Sequence, residues 1–187
     1  MTIQQFKNKL NTLNDILYFD QNDYLREKTS NPEEIRRIIV YGEKLIQTTQ
    51  DKIEIYFLKG NLGNFYRILG ESKKAIHYLE EALQRAKGNI TKEIITLVRL
   101  GEALKYDYQH NEALELFEQA LNHCNEHNVT TYLDFVLQHK GKCLLELKQI
   151  DDAKICFKEA LDLREIKGNQ SLIESTKIAL TYCQSIE

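Results

Sequence analysis

Leu97-Val98-Arg99-Leu100-Gly101-Glu102-Ala103-Leu104, followed by Ala113-Leu114-Glu115-Leu116-Phe117 and Ala120-Leu121, is the stretch on which the reading of this chain turns. Its marks recur on both sides. Leu62-Gly63 stands upstream and Lys140-Gly141 downstream, and twelve residues after each Gly comes Ala75, Ala113 or Ala153. Seven residues further stand Ala82, Ala120 and Ala160, each followed by Leu, with Leu79, Phe117 and Phe157 four after the first Ala. The glycines are 38 and 40 residues apart, yet the internal spacings never vary, so the body of each unit is rigid and length varies only at the joints. A helical hairpin behaves this way: small residues let two helices approach, and large apolar residues three and four apart fill the flanks.

These columns resemble the tetratricopeptide repeat family, whose helix-turn-helix unit reads roughly W-x-x-L-G-x-x-Y, then A-x-x-x-F, then P. Leu62-Gly63-x-x-Tyr66, Ala75-x-x-x-Leu79 and Ala82 fit one unit; Leu97-x-x-Leu100-Gly101-x-x-Leu104, Ala113-x-x-x-Phe117 and Ala120 fit a second; Leu137, Gly141, Leu144, Ala153-x-x-x-Phe157 and Ala160 fit a third. The Trp and the closing Pro are missing, and the units run longer than 34 residues. The resemblance implies an all-α, right-handed α-α superhelix of such hairpins.

Cap signals place the remaining helices. Thr2-x-x-Gln5 opens one, with Ile3, Phe6, Leu10, Leu13 and Leu17 on a single stripe. Asn31-Pro32-Glu33-Glu34 is an N-cap, a Pro at the first helical position and two acids at the positive helix end, predicting a helix to about Thr49. Gly42 lies 21 residues before Gly63, as Ala120 lies before Gly141, so this helix reads as the second half of a degenerate first unit. Lys87-Gly88-Asn89 and Lys167-Gly168-Asn169 read as helix stops. Ser171-x-x-Glu174 predicts a last helix with Leu172, Ile178, Ala179 and Tyr182 inward, and Asp151 reads as an N-cap. The expectation is one domain over 1–187: a degenerate unit at 1–50, units at 52–88, 91–127 and 131–167, and a C-terminal capping helix at 171–185, nine helices in all.

Composition narrows the function. A chain of 187 residues with 42% apolar and 28% charged residues folds as one domain without a metal or disulfide to hold it. With 25 Lys+Arg against 28 Asp+Glu it lacks the basic excess of a nucleic-acid binder, so no nucleic-acid partner is expected. Its longest apolar runs are far shorter than a membrane span, and Met1-Thr2-Ile3-Gln4-Gln5-Phe6-Lys7 has no signal-peptide character, so no membrane association and a cytoplasmic location are expected. Cys124, Cys143, Cys156 and Cys183 fit a reducing compartment as small buried hydrophobes.

The sharpest chemical motif is His123-Cys124-Asn125-Glu126-His127, an H-x-x-E-H string like that of a group of zinc peptidases. It falls in register at the end of a repeat helix and has no evident third ligand downstream, so neither a metal nor a catalytic residue is assigned. Gly60-Asn61-Leu62-Gly63 lacks the G-K-[ST] of a phosphate loop, no nucleophile has an adjacent base, and no cofactor is expected.

The informative surface is then the groove. The resemblance implies that the first helix of each unit lines a concave face, which puts Phe57, Asn61, Asn64, Arg67 and Ile68 there from one unit, Ile95, Val98, Arg99, Glu102, Lys105 and Tyr106 from the next, and Phe135, Gln138, His139, Lys142 and Glu146 from the third. Phe57, Ile95 and Phe135 form an apolar column. Arg67, Arg99, Lys105 and Lys142 outnumber Glu102 and Glu146, favouring an acidic or carboxylate-bearing segment. The carboxylate clamp of chaperone-binding members is only partly matched: Asn64 fits, whereas Arg99 and His139 do not. A non-enzymatic protein- or peptide-binding scaffold is expected. The alternative is a sensor of a short signalling peptide acting by binding alone, since the residues before Asn31 are too few for a helix-turn-helix domain. A metal-dependent hydrolase built on His123, Glu126 and His127 is a distant third.

Overall fold

A computed structural model describes residues 2–185. Three helical hairpins form its body: α3 (Lys52–Ile68) with α4 (Ser72–Ala86), α5 (Ile90–Tyr106) with α6 (His110–Glu126), and α7 (Leu133–Glu146) with α8 (Ile150–Lys167). α1 (Ile3–Leu10) and α2 (Pro32–Thr48) precede them and α9 (Gln170–Ser185) follows, nine α-helices among the described residues. Neighbouring helices pack in chain order, and α3, α5 and α7 also touch one another, forming the inner layer.

The sequence columns are the contacts inside each hairpin. A Cβ built on Gly63 would fall 2.5 Å from Leu79 Cγ, one on Gly101 2.7 Å from Phe117 Cε1, and one on Gly141 2.6 Å from Phe157 Cε1. Each large residue therefore fills the space its glycine leaves. Ala75, Ala82, Ala113, Ala120, Ala153 and Ala160 are all fully buried. Gly42 plays the same part between α2 and α3, where a Cβ would meet Leu62 at 2.8 Å.

The turns repeat as faithfully. Gly70, Tyr108 and Lys148, each seven residues after its packing glycine, close the three hairpins at φ +76°, +62° and +60°. A left-handed residue is needed here to reverse the chain, and only the first unit uses the residue type that adopts it without strain. Gly88 and Gly168 are left-handed helix stops, as expected, and Asn128 holds the equivalent position.

Three local expectations are corrected. The first helix ends at Leu10, and after a 3-10 turn at Asn14–Ile16 the chain forms an antiparallel hairpin, β1 (Leu17–Asp20) and β2 (Arg26–Thr29), with Leu17 opposite Thr29 and Asp20 opposite Arg26. Leu17 is thus in a strand, because Asp20, Asn22 and Asp23 make a turn: Asp20 accepts from the Asn22 amide at 2.9 Å, and Lys28 pairs with both aspartates at 2.8 Å. α9 is capped by Asn169, whose Oδ1 accepts from the Leu172 amide, and it turns Ile173, Thr176, Ala179 and Cys183 inward, leaving Leu172 and Ile178 largely exposed. Asp151 lies inside the first turn of α8, whose N-cap is Gln149. The capping box at Thr2 and Gln5 and the Asn31 cap with Pro32 at the first helical position form as the sequence predicts. All four cysteines are buried and free.

Candidate functional site

The β-hairpin lies across the inner layer, in the concave face itself. Its tip has Tyr24 and Leu25 at φ +49° and +58°, a left-handed pair that a bulky side chain adopts only when the surroundings hold it. What holds it is burial: Leu25 enters the core cluster of Leu137, Leu144 and Ala179, while Tyr24 meets Tyr182 edge-on. From the following strand, Arg26 donates to both carboxylate oxygens of Glu146, at 3.0 and 2.6 Å, and to the Lys105 carbonyl at 3.2 Å. Its guanidinium lies 4.9 and 4.8 Å from the ring centres of Tyr106 and Tyr108. The Glu27 carboxylate accepts from Arg67 at 2.5 Å, and its amide donates to the Tyr106 hydroxyl at 2.5 Å.

A chain of buried ions runs beneath. Arg67 lies 3.7 Å from Glu102, Lys105 lies 2.9 Å from Glu102 and 3.6 Å from Glu146, and His139 Nδ1 and His110 Nε2 approach Glu102 and Glu146 at 3.1 and 2.9 Å. Burial works against the Glu102 charge, but Lys105 and His139 outweigh it and hold the carboxyl well below its usual range. Burial pushes the His139 imidazole down, against the opposing pull of Glu102. Lys142 has no carboxylate within ion-pair distance among the described residues: it donates to the Leu25 carbonyl at 3.2 Å and sits over Phe19, and burial, reinforced by Lys105, pushes its ammonium down to about 7.

The residues expected to line the groove therefore divide. Arg67, Lys105, Tyr106 and Lys142 are buried and hold the hairpin or the ion chain. Asn61 donates to the Phe57 carbonyl of its own helix, and Phe57 packs edge-on against Phe6 of α1 with Lys7 over its ring. The apolar column is interrupted as a result, and Ile95 is half-buried. Asn64, Arg99, Phe135 and His139 remain around a cavity of about 300 Å³ beside the hairpin, whose wall also includes Phe19, Gln138 and Leu172, the carboxylates of Glu27 and Glu102, and the cations Arg67, Lys142 and Arg164.

This cavity is rich in unused donors. Arg99 makes no hydrogen bond or ion pair among the described residues, and burial pushes its guanidinium below its usual range. A Cβ on Gly60 would stand 3.2 Å from Arg99 Nη1, so that glycine leaves room for the guanidinium against α3. Arg67 Nη1 and Gln138 Nε2 are buried without a hydrogen-bond partner, as is one acceptor, Glu102 Oε1. The Gln138 oxygen is already taken by Arg164, at 3.0 Å, and Thr176, at 3.0 Å. A site with donors to spare is chemically suited to an anion.

Arg26, Glu27, Leu25 and Phe19 are the site residues that the repeat columns could not reveal. The local signal for them was Leu17-Tyr18-Phe19 followed by the turn formers Asp20, Asn22 and Asp23.

Residues 54–126 match one tetratricopeptide repeat family and residues 136–166 another, together more than half of the chain. The chain is a tetratricopeptide-repeat protein. No curated protein matches it. Among solved structures it is similar to apo RapI, at 19% identity and a TM-score of 0.68, covering 83% of this chain and 58% of RapI. It is similar to a Rap protein complexed with competence and sporulation factor, at 18% identity and a TM-score of 0.72, covering 81% of this chain and 44% of that protein. The Bacillus thuringiensis PlcR complex with the peptide PapR7 and DNA matches at 16% identity and a TM-score of 0.69, over 93% of this chain and 69% of PlcR. The chain thus spans about half the length of the Rap proteins, and at these identities the likeness establishes the shared fold. No helix among the described residues is long and apolar enough to cross a membrane.

Proposed function

We propose that the protein is a non-enzymatic, cytoplasmic binding scaffold whose concave face holds an acidic peptide or protein segment, with Arg99 receiving a carboxylate. The observation that carries this reading is Arg99 itself: a half-buried guanidinium with no acceptor among the described residues, on the wall of a 300 Å³ cavity. An unpaired, partly desolvated charge is costly, and a ligand carboxylate relieves that cost with two parallel hydrogen bonds. Phe19, Phe135 and Leu172 give the ligand apolar surface beside the charge, and the Asn64 and Gln138 amides can bond its backbone. The chain's small net negative charge supports a protein rather than a nucleic-acid partner.

A second reading, a sensor of a short signalling peptide, is favoured by the shared fold with the Rap protein bound to competence and sporulation factor and with PlcR bound to PapR7. Both readings place the ligand in the same channel. They are separated by whether a free short peptide suffices.

The test is fluorescence anisotropy with a labelled library of heptapeptides, acidic members paired with counterparts bearing Asn or Gln for Asp or Glu and an amidated C-terminus. Acidic binders are expected to lose at least tenfold in affinity against Arg99→Met, and added salt should weaken them in the wild-type protein. Equal binding of acidic and neutral members, or affinity unchanged in the variant, refutes the carboxylate assignment.

A further inference from the structure

Away from the groove, the joint between the second and third repeat units brings together a different set of groups. One ring nitrogen each from His123 and His127 and a carboxylate oxygen from Glu126 lie within 4.8 Å of one another. The reason is helical geometry: His123 and His127 are four residues apart at the end of α6, so their rings share a face, stacked with centroids 6.0 Å apart and planes 17° apart. Downstream of His127 the sequence offers no evident further ligand. The fold supplies an acidic neighbour from upstream, because α5 runs antiparallel to α6 and sets Glu93 Oε2 3.9 Å from His123 Nε2, while Glu93 Oε1 accepts from the Gly88 amide at 2.6 Å.

We infer that His123, Glu126 and His127 form a binding site for a divalent transition-metal ion of the zinc class. Three observations support this beyond proximity. The Glu126 and His127 side chains make no hydrogen bond or ion pair with any other residue among those described, and His123 is tied only by the long 3.9 Å contact of its Nε2 with Glu93, its Nδ1 being buried without a partner. The donor types are two imidazoles and a carboxylate, which suit zinc, nickel, cobalt and copper and are poorly matched to magnesium or calcium. The charge also fits, since Glu126 and Glu93 bring two negative charges to a cluster with two imidazoles, and a divalent cation neutralises them. Ligands about 2 Å from a tetrahedral ion stand about 3.3 Å from one another. Closing from 4.8 Å needs side-chain rotation only, which the exposed Glu126 and His127 can make.

The site is a staple rather than a reaction centre. It occupies the last turn of α6 and its C-cap, where His127 stands, just ahead of the left-handed Asn128 that starts the joint to α7. A bound ion there would hold the frayable end of α6 in helical form, since both histidines must stay on one face to ligate it. This inference is independent of the groove reading.

The test is isothermal titration of the full chain with zinc alone, under reducing, chelator-free conditions. One ion per chain is expected to bind with a dissociation constant on the order of micromolar, raising the thermal midpoint by several degrees at saturation, with magnesium producing neither effect. His127 is exposed, so His127→Ala is expected to leave the helical circular dichroism unchanged and to weaken zinc at least tenfold, as should His123→Ala. Zinc affinity unchanged in the His127→Ala variant, or binding to the wild-type chain weaker than about 100 micromolar, overturns the inference.

Discussion

Replacing Arg26 by Met tests whether the β-hairpin is held in the groove by its charge network. The substitution keeps most of the side chain's length and removes the bidentate bond to Glu146, the bond to the Lys105 carbonyl and the cation between Tyr106 and Tyr108. Removing one partner of a buried ion pair costs about 3–5 kcal/mol. Glu146 keeps Lys105 at 3.6 Å and His110 at 2.9 Å, which brings the loss toward the lower end, about 3 kcal/mol. Because Arg26 is the strand's main tie to α5 and α7, the loss falls on docking of the hairpin rather than on the helices. Local opening that becomes easier by about 3 kcal/mol speeds amide exchange roughly a hundredfold in β1 and β2 and leaves α5 and α6 nearly as protected as before. Hydrogen exchange read by mass spectrometry or NMR measures both. Unchanged protection of residues 17–29 would show that Leu25 alone seats the hairpin; equal loss across the helices would show that the hairpin is part of the global folding unit.

Other outcomes follow from the same geometry. Stability should rise with pH between about 7 and 8.5: the folded chain releases the Lys142 proton near 7 while the unfolded chain keeps it to above 10, giving a slope on the order of 1 kcal/mol per pH unit. Above that range the rise levels off, because burial pushes the Cys143 thiol up to about 12 and the unfolded chain ionises first, offsetting the Lys142 slope until the unfolded lysine itself titrates above 10. Urea unfolding at three pH values checks this, and Lys142→Met should be flat where wild type is not; a flat wild-type profile refutes the assignment. Gly101→Ala should lower stability by about 1–3 kcal/mol, since its Cβ would fall 2.7 Å from the Phe117 ring, and a wild-type thermal midpoint would contradict the hairpin register. Lys148→Gly should raise stability by roughly 0.5–1 kcal/mol by relieving a left-handed lysine at an exposed turn, read as a small increase in the same midpoint.

The candidate site was legible in part. Arg67, Arg99, Lys105 and Lys142 could be placed on the inner helices from the repeat register, and their sign suggested an anionic ligand. What the register could not show was which cations already had partners. Glu102 and Glu146 were visible to it and were set against the cations in the charge count. The hairpin's Arg26 and Glu27 were outside it, and Lys142 lost part of its charge to burial that no sequence count contains. Likewise, the outward Leu172 and Ile178 on α9 have the apolar character of inward residues. Their direction was set by Ile173, Ala179 and Cys183 meeting the rest of the array.

The array itself was determined by the sequence, because its contacts are local. Gly101 meets Phe117 and Gly141 meets Phe157 across a single turn, so a fixed spacing in the chain is a fixed distance in space, and its recurrence states the architecture. The content of the groove was decided only by the tertiary structure. Arg26 and Glu146 are 120 residues apart, Glu27 and Tyr106 are 79, and neither pair belongs to a repeating interval. Each is an ordinary residue where it stands in the chain. The stacking of three hairpins brings those distant positions to one concave face, and desolvation there turns them into the partners that seat the hairpin and leave Arg99 without one.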